Sequence, residues 1–182
     1  MADASKFLSK ADEALKKRNY DYAIQMYHSA MQVDPSNAQA RKNFRLALLR
    51  KYDKIGYPKV GIFSGATMIR QKDPLKLLVE NEKLVEKDPK SIKHNMRVGQ
   101  ALFELKHYDA SATVMEFAVK VGDVKGSKEA PSAFKLLAKS LLQINRAKEA
   151  SQYVARAAKL APNDKELSTM NKSIAAQMTL DK

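Results

Sequence analysis

The feature that most constrains this chain is an internal repeat. The segment Asn-Tyr-Asp-Tyr-Ala at residues 19–23 returns in related form as His-Tyr-Asp-Ala-Ser at residues 107–111, a displacement of 88 residues. A proline or an aspartate closes each of four units, and the steps between these marks are 54, 34 and 39 residues. The marks are Pro35, Pro89, Asp123 and Pro162. A period of about 34 residues with insertions in the second and fourth units accounts for all three steps.

The residues before each mark follow one helical spacing, with intervals of 3, 4, 3 and 5 residues. Offsets of 3 and 4 place side chains on one face of an α-helix, where small residues allow two helices to approach closely. A proline at the end of the second helix stops it and turns the chain. These positions are Tyr20, Ala23, Tyr27, Ala30 and Pro35 in the first unit, Tyr108, Ser111, Met115, Ala118 and Asp123 in the third, and Ala147, Ala150, Val154, Ala157 and Pro162 in the fourth, with Ala11, Gly99 and Ala138 as the small residues of the preceding helices.

This pattern resembles that of the tetratricopeptide repeat family over essentially the full chain. The resemblance implies an all-α fold, a right-handed α-solenoid of about four helix pairs with a C-terminal capping helix. We expect one domain over residues 1–182, with units at about 4–37, 38–91, 92–125 and 129–164 and a capping helix at 164–180. Asp164 can cap that last helix, which has one apolar face. The residues of this face are Leu167, Met170, Ile174 and Met178.

The second unit matches the pattern poorly. Arg45 stands where a small residue is expected, and Leu77, Asn81 and Leu84 occupy the positions of the second helix. We therefore expect this unit to be splayed or remodelled.

An insertion at residues 53–73 separates the two helices of the second unit and holds three of the six glycines. Glycine at this density breaks helices. The insertion is both apolar and basic, which leaves two interpretations open. One is a binding loop or a membrane-contacting surface. The other, which we favour, is a folded loop whose apolar residues fill a gap left by the second unit. The residues concerned are Lys59, Ile62, Phe63 and Arg70.

The charge of the chain is strongly positive, with 33 Lys and Arg against 20 Asp and Glu and a net charge of +13. Such a charge attracts acidic peptides, anionic lipid or nucleic acid and does not discriminate among them. Cysteine is absent, which excludes disulfides and thiolate metal sites. Residues 1–10 lack the apolar core of a secretory signal, and no apolar run approaches the ~20 residues of a membrane span. We therefore expect a cytoplasmic protein without a transmembrane segment.

Catalytic motifs are also missing from the sequence. The three histidines, His28, His94 and His107, fall at unrelated repeat positions, and none has a second histidine four residues away, as a zinc pair would require. No nucleophile elbow, kinase signature or dinucleotide fingerprint occurs. We expect a protein that is not an enzyme and that uses neither a metal nor a cofactor.

The family resemblance further implies which residues face a partner, since the first helices of tetratricopeptide units line a concave groove. These residues are Lys42, Asn43, Lys93, Arg97, Lys135 and Lys139. Asn43, Lys93 and Arg97 are similar to members of the carboxylate clamp with which some co-chaperones of the family hold acidic chaperone tails. The first helix departs from that clamp, because Leu8 and Asp12 replace its Lys and Asn.

The leading functional hypothesis is a scaffold or adaptor whose basic groove binds an acidic or extended segment of a partner protein. Two alternatives remain at this point. The net charge favours a nucleic-acid- or ribosome-associated helical repeat. The insertion favours peripheral membrane attachment. A plainer interpretation of the basic row is an ordinary solvated helix face.

Overall fold

The computed structural model describes residues 3–58, 73–122, 124 and 126–180, and the regular secondary structure within them is α-helix. The predicted all-α class is therefore confirmed. The helices are α1 (Ala4–Lys16), α2 (Tyr20–Val33), α3 (Ala38–Ile55), α4 (Pro74–Lys87), α5 (Ile92–Glu104), α6 (Tyr108–Val121), α7 (Ala130–Gln143), α8 (Ala147–Leu160) and α9 (Lys165–Leu180). Within the described residues α1 pairs with α2, α5 with α6 and α7 with α8, and α9 packs on α8.

The three regular helix pairs share one turn. Its central residue, Arg18, Lys106 or Asn145, has a left-handed backbone with φ of 59°, 62° and 59° respectively. The next amide donates to the carbonyl five residues earlier, at 2.9 Å in all three turns. This arrangement satisfies carbonyls that the end of the first helix leaves unpaired. The three turns stand at equivalent repeat positions, so the sequence repeat is also a repeat of backbone geometry.

The repeat positions form the core, as the spacing predicts. Ala23, Tyr27 and Ala30 are fully buried, and so are their counterparts in the third and fourth units, Ser111, Met115, Ala118, Ala150, Val154 and Ala157. Gly99 allows α5 and α6 to approach closely, because a Cβ there would lie 2.6 Å from Sδ of Met115. These small residues set the helix separation on which the tetratricopeptide type of fold depends.

The second unit is remodelled. Its first helix, α3, runs 18 residues to Ile55, so its last turn lies within residues 53–73, where the sequence predicts the insertion. Gly56, with φ of 87°, ends the helix there. The backbone of α3 packs against α2 and α6, whereas that of α4 packs against α5. The two helices of this unit therefore do not form a close pair of the regular kind.

A buried polar network joins α3 to α4 instead. Arg41 and Arg45 of α3 both bind Glu82 of α4, with 3.1 Å from Nη2 of Arg45 to Oε2 of Glu82. Nε of Arg45 also donates to Oδ1 of Asn95 on α5, at 2.8 Å. At most 4% of any of these four residues is exposed. Burial alone would raise the pKa of Glu82, but the charges of Arg45 and Arg41 outweigh it and hold the pKa below its ordinary value.

The capping helix α9 buries three of its four predicted apolar residues, Leu167, Met170 and Ile174, while Met178 is 40% exposed. One residue earlier, Nε2 of Gln177 donates to the Leu142 carbonyl at 3.3 Å and to Oδ1 of Asn145 at 2.9 Å. Because these partners lie at the end of α7, Met178 extends past the surface that α9 covers.

Replacement of the left-handed lysine by glycine tests the shared turn. We expect Lys106→Gly to raise the free energy of unfolding by up to about 1 kcal/mol, because a left-handed backbone is unfavourable for lysine and not for glycine. Asn145→Gly is the matched control and should bring no gain, because asparagine tolerates this backbone and Asn145 also accepts a hydrogen bond from Gln177. Urea unfolding followed by circular dichroism measures both. An equal effect at the two sites would contradict the explanation.

Loss of the buried carboxylate tests the network. We expect Glu82→Gln to lower the free energy of unfolding by about 3–5 kcal/mol, because it leaves two buried guanidinium groups without their anion. The control is Glu80→Gln on the same helix, where the structure shows no ion pair among the described residues, with an expected change within about 0.5 kcal/mol. Equal urea midpoints for the two variants would disprove the role of Glu82.

The stability difference between the wild type and Glu82→Gln should also depend on pH. Since the pKa of Glu82 is lower in the folded state than its ordinary 4.5, its contribution to stability is fully present above pH 4.5 and is lost as the pH falls through the folded-state pKa. The stability difference between the wild type and Glu82→Gln should therefore shrink on acidification below pH 4.5. Urea unfolding at a series of pH values measures it. A difference that stays constant would contradict the lowered pKa.

Candidate functional site

A pocket of about 260 Å³ opens between α5 and α7. One face of each helix forms its walls, because the lining residues recur at helical spacing along both. Met96 and Leu136 supply apolar surface, and the rest of the lining is polar or basic. The lining residues are Met96, Arg97, Gln100, Ser132, Lys135, Leu136 and Lys139. The α5–α7 pocket thus contains three of the six groove residues that the family resemblance implies.

Two of the pocket lysines are already paired with carboxylates of the chain itself. Nζ of Lys135 lies 2.7 Å from Oδ2 of Asp164 and 2.9 Å from Oε2 of Glu166. Lys139 also binds Glu166. The hydrogen bonds from these lysines hold the pKa of both carboxyl groups below their ordinary values. The first turn of α9 therefore neutralises the α7 side of the pocket.

The α5 side of the pocket has different electrostatics. Among the described residues, the guanidinium of Arg97 has no hydrogen-bond or ion-pair partner, and neither has the ammonium group of Lys93 one turn earlier. Lys93 is exposed and Arg97 is partly buried. Contact of these two cations with an incoming anion would therefore break no hydrogen bond or ion pair within the described residues.

Lys42 and Asn43 lie outside the α5–α7 pocket. Lys42 lines a separate cavity of about 500 Å³ between α3 and α6, where Glu116 and Lys120 give the walls both signs of charge. Nδ2 of Asn43 donates to Oδ1 of Asp12 at 3.0 Å. This amide is therefore engaged within the chain and does not present a free donor of the clamp type. Because α3 packs against α6, the six implied residues do not form one continuous row.

The remaining predicted site residues of the insertion, Lys59, Ile62, Phe63 and Arg70, lie outside the described residues. Within the part of the chain that the structure describes, no three or more His, Asp or Glu side chains gather as a metal site would require. In the same part, no helix has the length and apolarity to cross a bilayer.

The sequence analysis missed Asp164 and Glu166 as members of the site. A signal for them exists, since α9 runs antiparallel to α8 and therefore in the direction of α7. Its first turn must then lie beside the early turns of α7, where Lys135 and Lys139 stand one turn apart. Asp164 also caps α9, as the sequence predicts, since its Oδ1 accepts from the Glu166 amide at 3.0 Å.

No protein-family model matches the chain, and no curated protein matches it. Several solved structures are similar over most of its length. The MamA protein is 15% identical, with 96% of this chain and 91% of that chain covered and a TM-score of 0.45. PilF of Pseudomonas aeruginosa is 17% identical, with 98% and 68% covered and a TM-score of 0.48. TTC0263, a thermophilic TPR protein of Thermus thermophilus, is 15% identical, with 97% and 82% covered and a TM-score of 0.45.

The chain's own geometry resembles the tetratricopeptide type of fold. Three helix pairs repeat the same left-handed turn, and small residues at the repeat positions are buried between them. The chain is an all-α helical repeat protein with a remodelled second unit.

Proposed function

We propose that this protein is an interaction scaffold that binds an acidic segment of a partner protein at the α5–α7 pocket. The observation that carries the proposal is a pair of unpartnered cations on α5 within the described residues, Arg97 in the pocket lining and Lys93 one turn away. Charge-assisted hydrogen bonds to carboxylates are among the stronger polar contacts in proteins. The net charge of +13 raises the local concentration of acidic partners.

The size of the pocket favours a peptide segment over a small metabolite. At about 260 Å³, its volume lies below the roughly 300–1,000 Å³ of typical small-molecule sites. The two cations stand one turn apart along α5, which suits side chains that follow one another on an extended segment. Stacked helix pairs also present the extended surfaces on which repeat proteins bind partners.

The second candidate function is binding of nucleic acid, favoured by the net charge. A phosphate backbone would need several free cations along one path, and the ion pairs of Lys135 and Lys139 remove two from the pocket. Binding to phosphates would also weaken steeply with salt, because counterions are released.

Charge reversal on α5 tests the proposal. We expect the double variant Lys93→Glu, Arg97→Glu to bind a fluorescein-labelled oligo-glutamate peptide at least about tenfold more weakly than the wild type, since each charge-assisted hydrogen bond contributes roughly 1.5–3 kcal/mol. The control is Lys6→Glu, Lys10→Glu on α1. It has the same change in net charge and the same spacing, on exposed residues away from the pocket. Fluorescence anisotropy measures all three affinities.

Equal affinities of the two double variants would refute the pocket as the site. A single-stranded RNA oligonucleotide serves as the second probe in the same assay. If the wild type binds RNA at physiological salt more tightly than the peptide, and with a steep salt dependence, the nucleic-acid function replaces the proposal.

A further inference from the structure

Two lysines that line the α5–α7 pocket, Lys135 and Lys139, already contact acidic side chains, those of Asp164 and Glu166 at the start of α9. Their contacts differ, and the difference bears on how a partner enters. We propose that Glu166 is a displaceable internal substitute for a partner's carboxylate, whereas Asp164 is a permanent part of the fold. A partner segment binds Arg97 first and then replaces Glu166 on Lys139. This inference rests on the proposed function and adds the order and the regulation of binding at the same pocket.

Asp164 is held by the backbone as well as by a lysine. Its side chain accepts the Glu166 amide at 3.0 Å, and its carbonyl accepts the Leu167 amide at 3.2 Å. Its ion pair with Lys135 is well covered, with 27% of the Asp164 side chain and 23% of the Lys135 side chain exposed. Displacement of Asp164 would remove both the cap of α9 and this ion pair. Asp164 therefore stays in place when a partner binds.

Glu166 has no comparable attachment. Within the described residues, its carboxylate contacts only Lys135 and Lys139, and 44% of its side chain is exposed. Rotation of this side chain moves the carboxylate into water and leaves the backbone of α9 unchanged. An exposed ion pair of this kind shifts an equilibrium by only about two- to fivefold. A carboxylate that arrives with additional contacts to Arg97 therefore competes with Glu166 successfully.

The contacts also specify the partner. Arg97 and Lys139 line the same pocket on opposite helices, so the segment needs two carboxylates on one face, one for each cation. In an extended chain, side chains two residues apart share a face. We therefore expect acidic residues at alternate positions in the partner segment.

Removal of the internal carboxylate tests the inference. Glu166→Gln should bind the fluorescein-labelled oligo-glutamate peptide about two- to fivefold more tightly than the wild type, because Lys139 becomes free. The control Glu13→Gln makes the same change in net charge at an exposed ion pair with Lys17 on α1 and should change the affinity much less. Glu166→Asp keeps the charge on a shorter side chain, and a smaller gain in the same direction is expected.

A double-mutant cycle separates displacement from a general electrostatic effect. In a Lys139→Gln background, Glu166→Gln should no longer increase affinity, because the cation that it frees is absent. Asp164→Asn should lower the melting temperature without a comparable gain in affinity, since Lys135 keeps its contact with Glu166.

The outcomes separate the inference from the proposed function. If neither the wild type nor Glu166→Gln binds the peptide, the proposed function fails. If the wild type binds through Lys93 and Arg97 but Glu166→Gln gains no more than Glu13→Gln, the function stands and displacement is refuted. A gain that persists in full in the Lys139→Gln background refutes displacement from Lys139, since it would then come from net charge or from the contact with Lys135.

Discussion

The buried contact of two arginines with one glutamate is the interaction on which the arrangement of this molecule depends. Arg41 and Arg45 on α3 reach Glu82 on α4, and Arg45 continues to Asn95 on α5. The α3 and α4 backbones do not pack closely, so long side chains bridge the space that alanine and glycine close in the other units. A buried charge network of this kind favours one relative position of the helices, because it is stable only when every member is paired. It therefore specifies how the first three helices attach to the rest.

This attachment determines which surfaces a partner meets. With α3 against α6, the residues implied for one concave groove are divided between the α3–α6 cavity and the α5–α7 pocket. The start of α9 reaches the second of these and neutralises its lysines. Of the basic residues that line this pocket, Arg97 alone has no ion pair within the described part of the chain. The proposed function therefore assigns selectivity to the unpartnered cations on α5, with the overall charge of +13 as a general attraction.

Much of the fold was predictable from spacing, because small residues at offsets of 3 and 4 have one favourable use on a helix. The burial of Ala23, Tyr27 and Ser111 followed from that rule. Arg45 at a small-residue position indicated that the second unit is remodelled. The sequence did not indicate its partners, because Glu82 is 37 residues away along the chain. The site was less predictable for the same reason. Lys135 and Lys139 have no acidic partner nearby in the sequence, because Asp164 and Glu166 lie beyond α8 and reach them only in the folded chain.

The packing of α3 against α6 also changes how the molecule responds to stress. In a regular repeat array most contacts join helices that are close together in the sequence. Here a helix ending at Ile55 shares an interface with one that begins at Tyr108. Contacts over such long sequence separations slow folding, because a large loop must close first. They also tie the N-terminal helices to the centre of the protein, so that α1–α3 can separate from it only with loss of the α3–α6 interface.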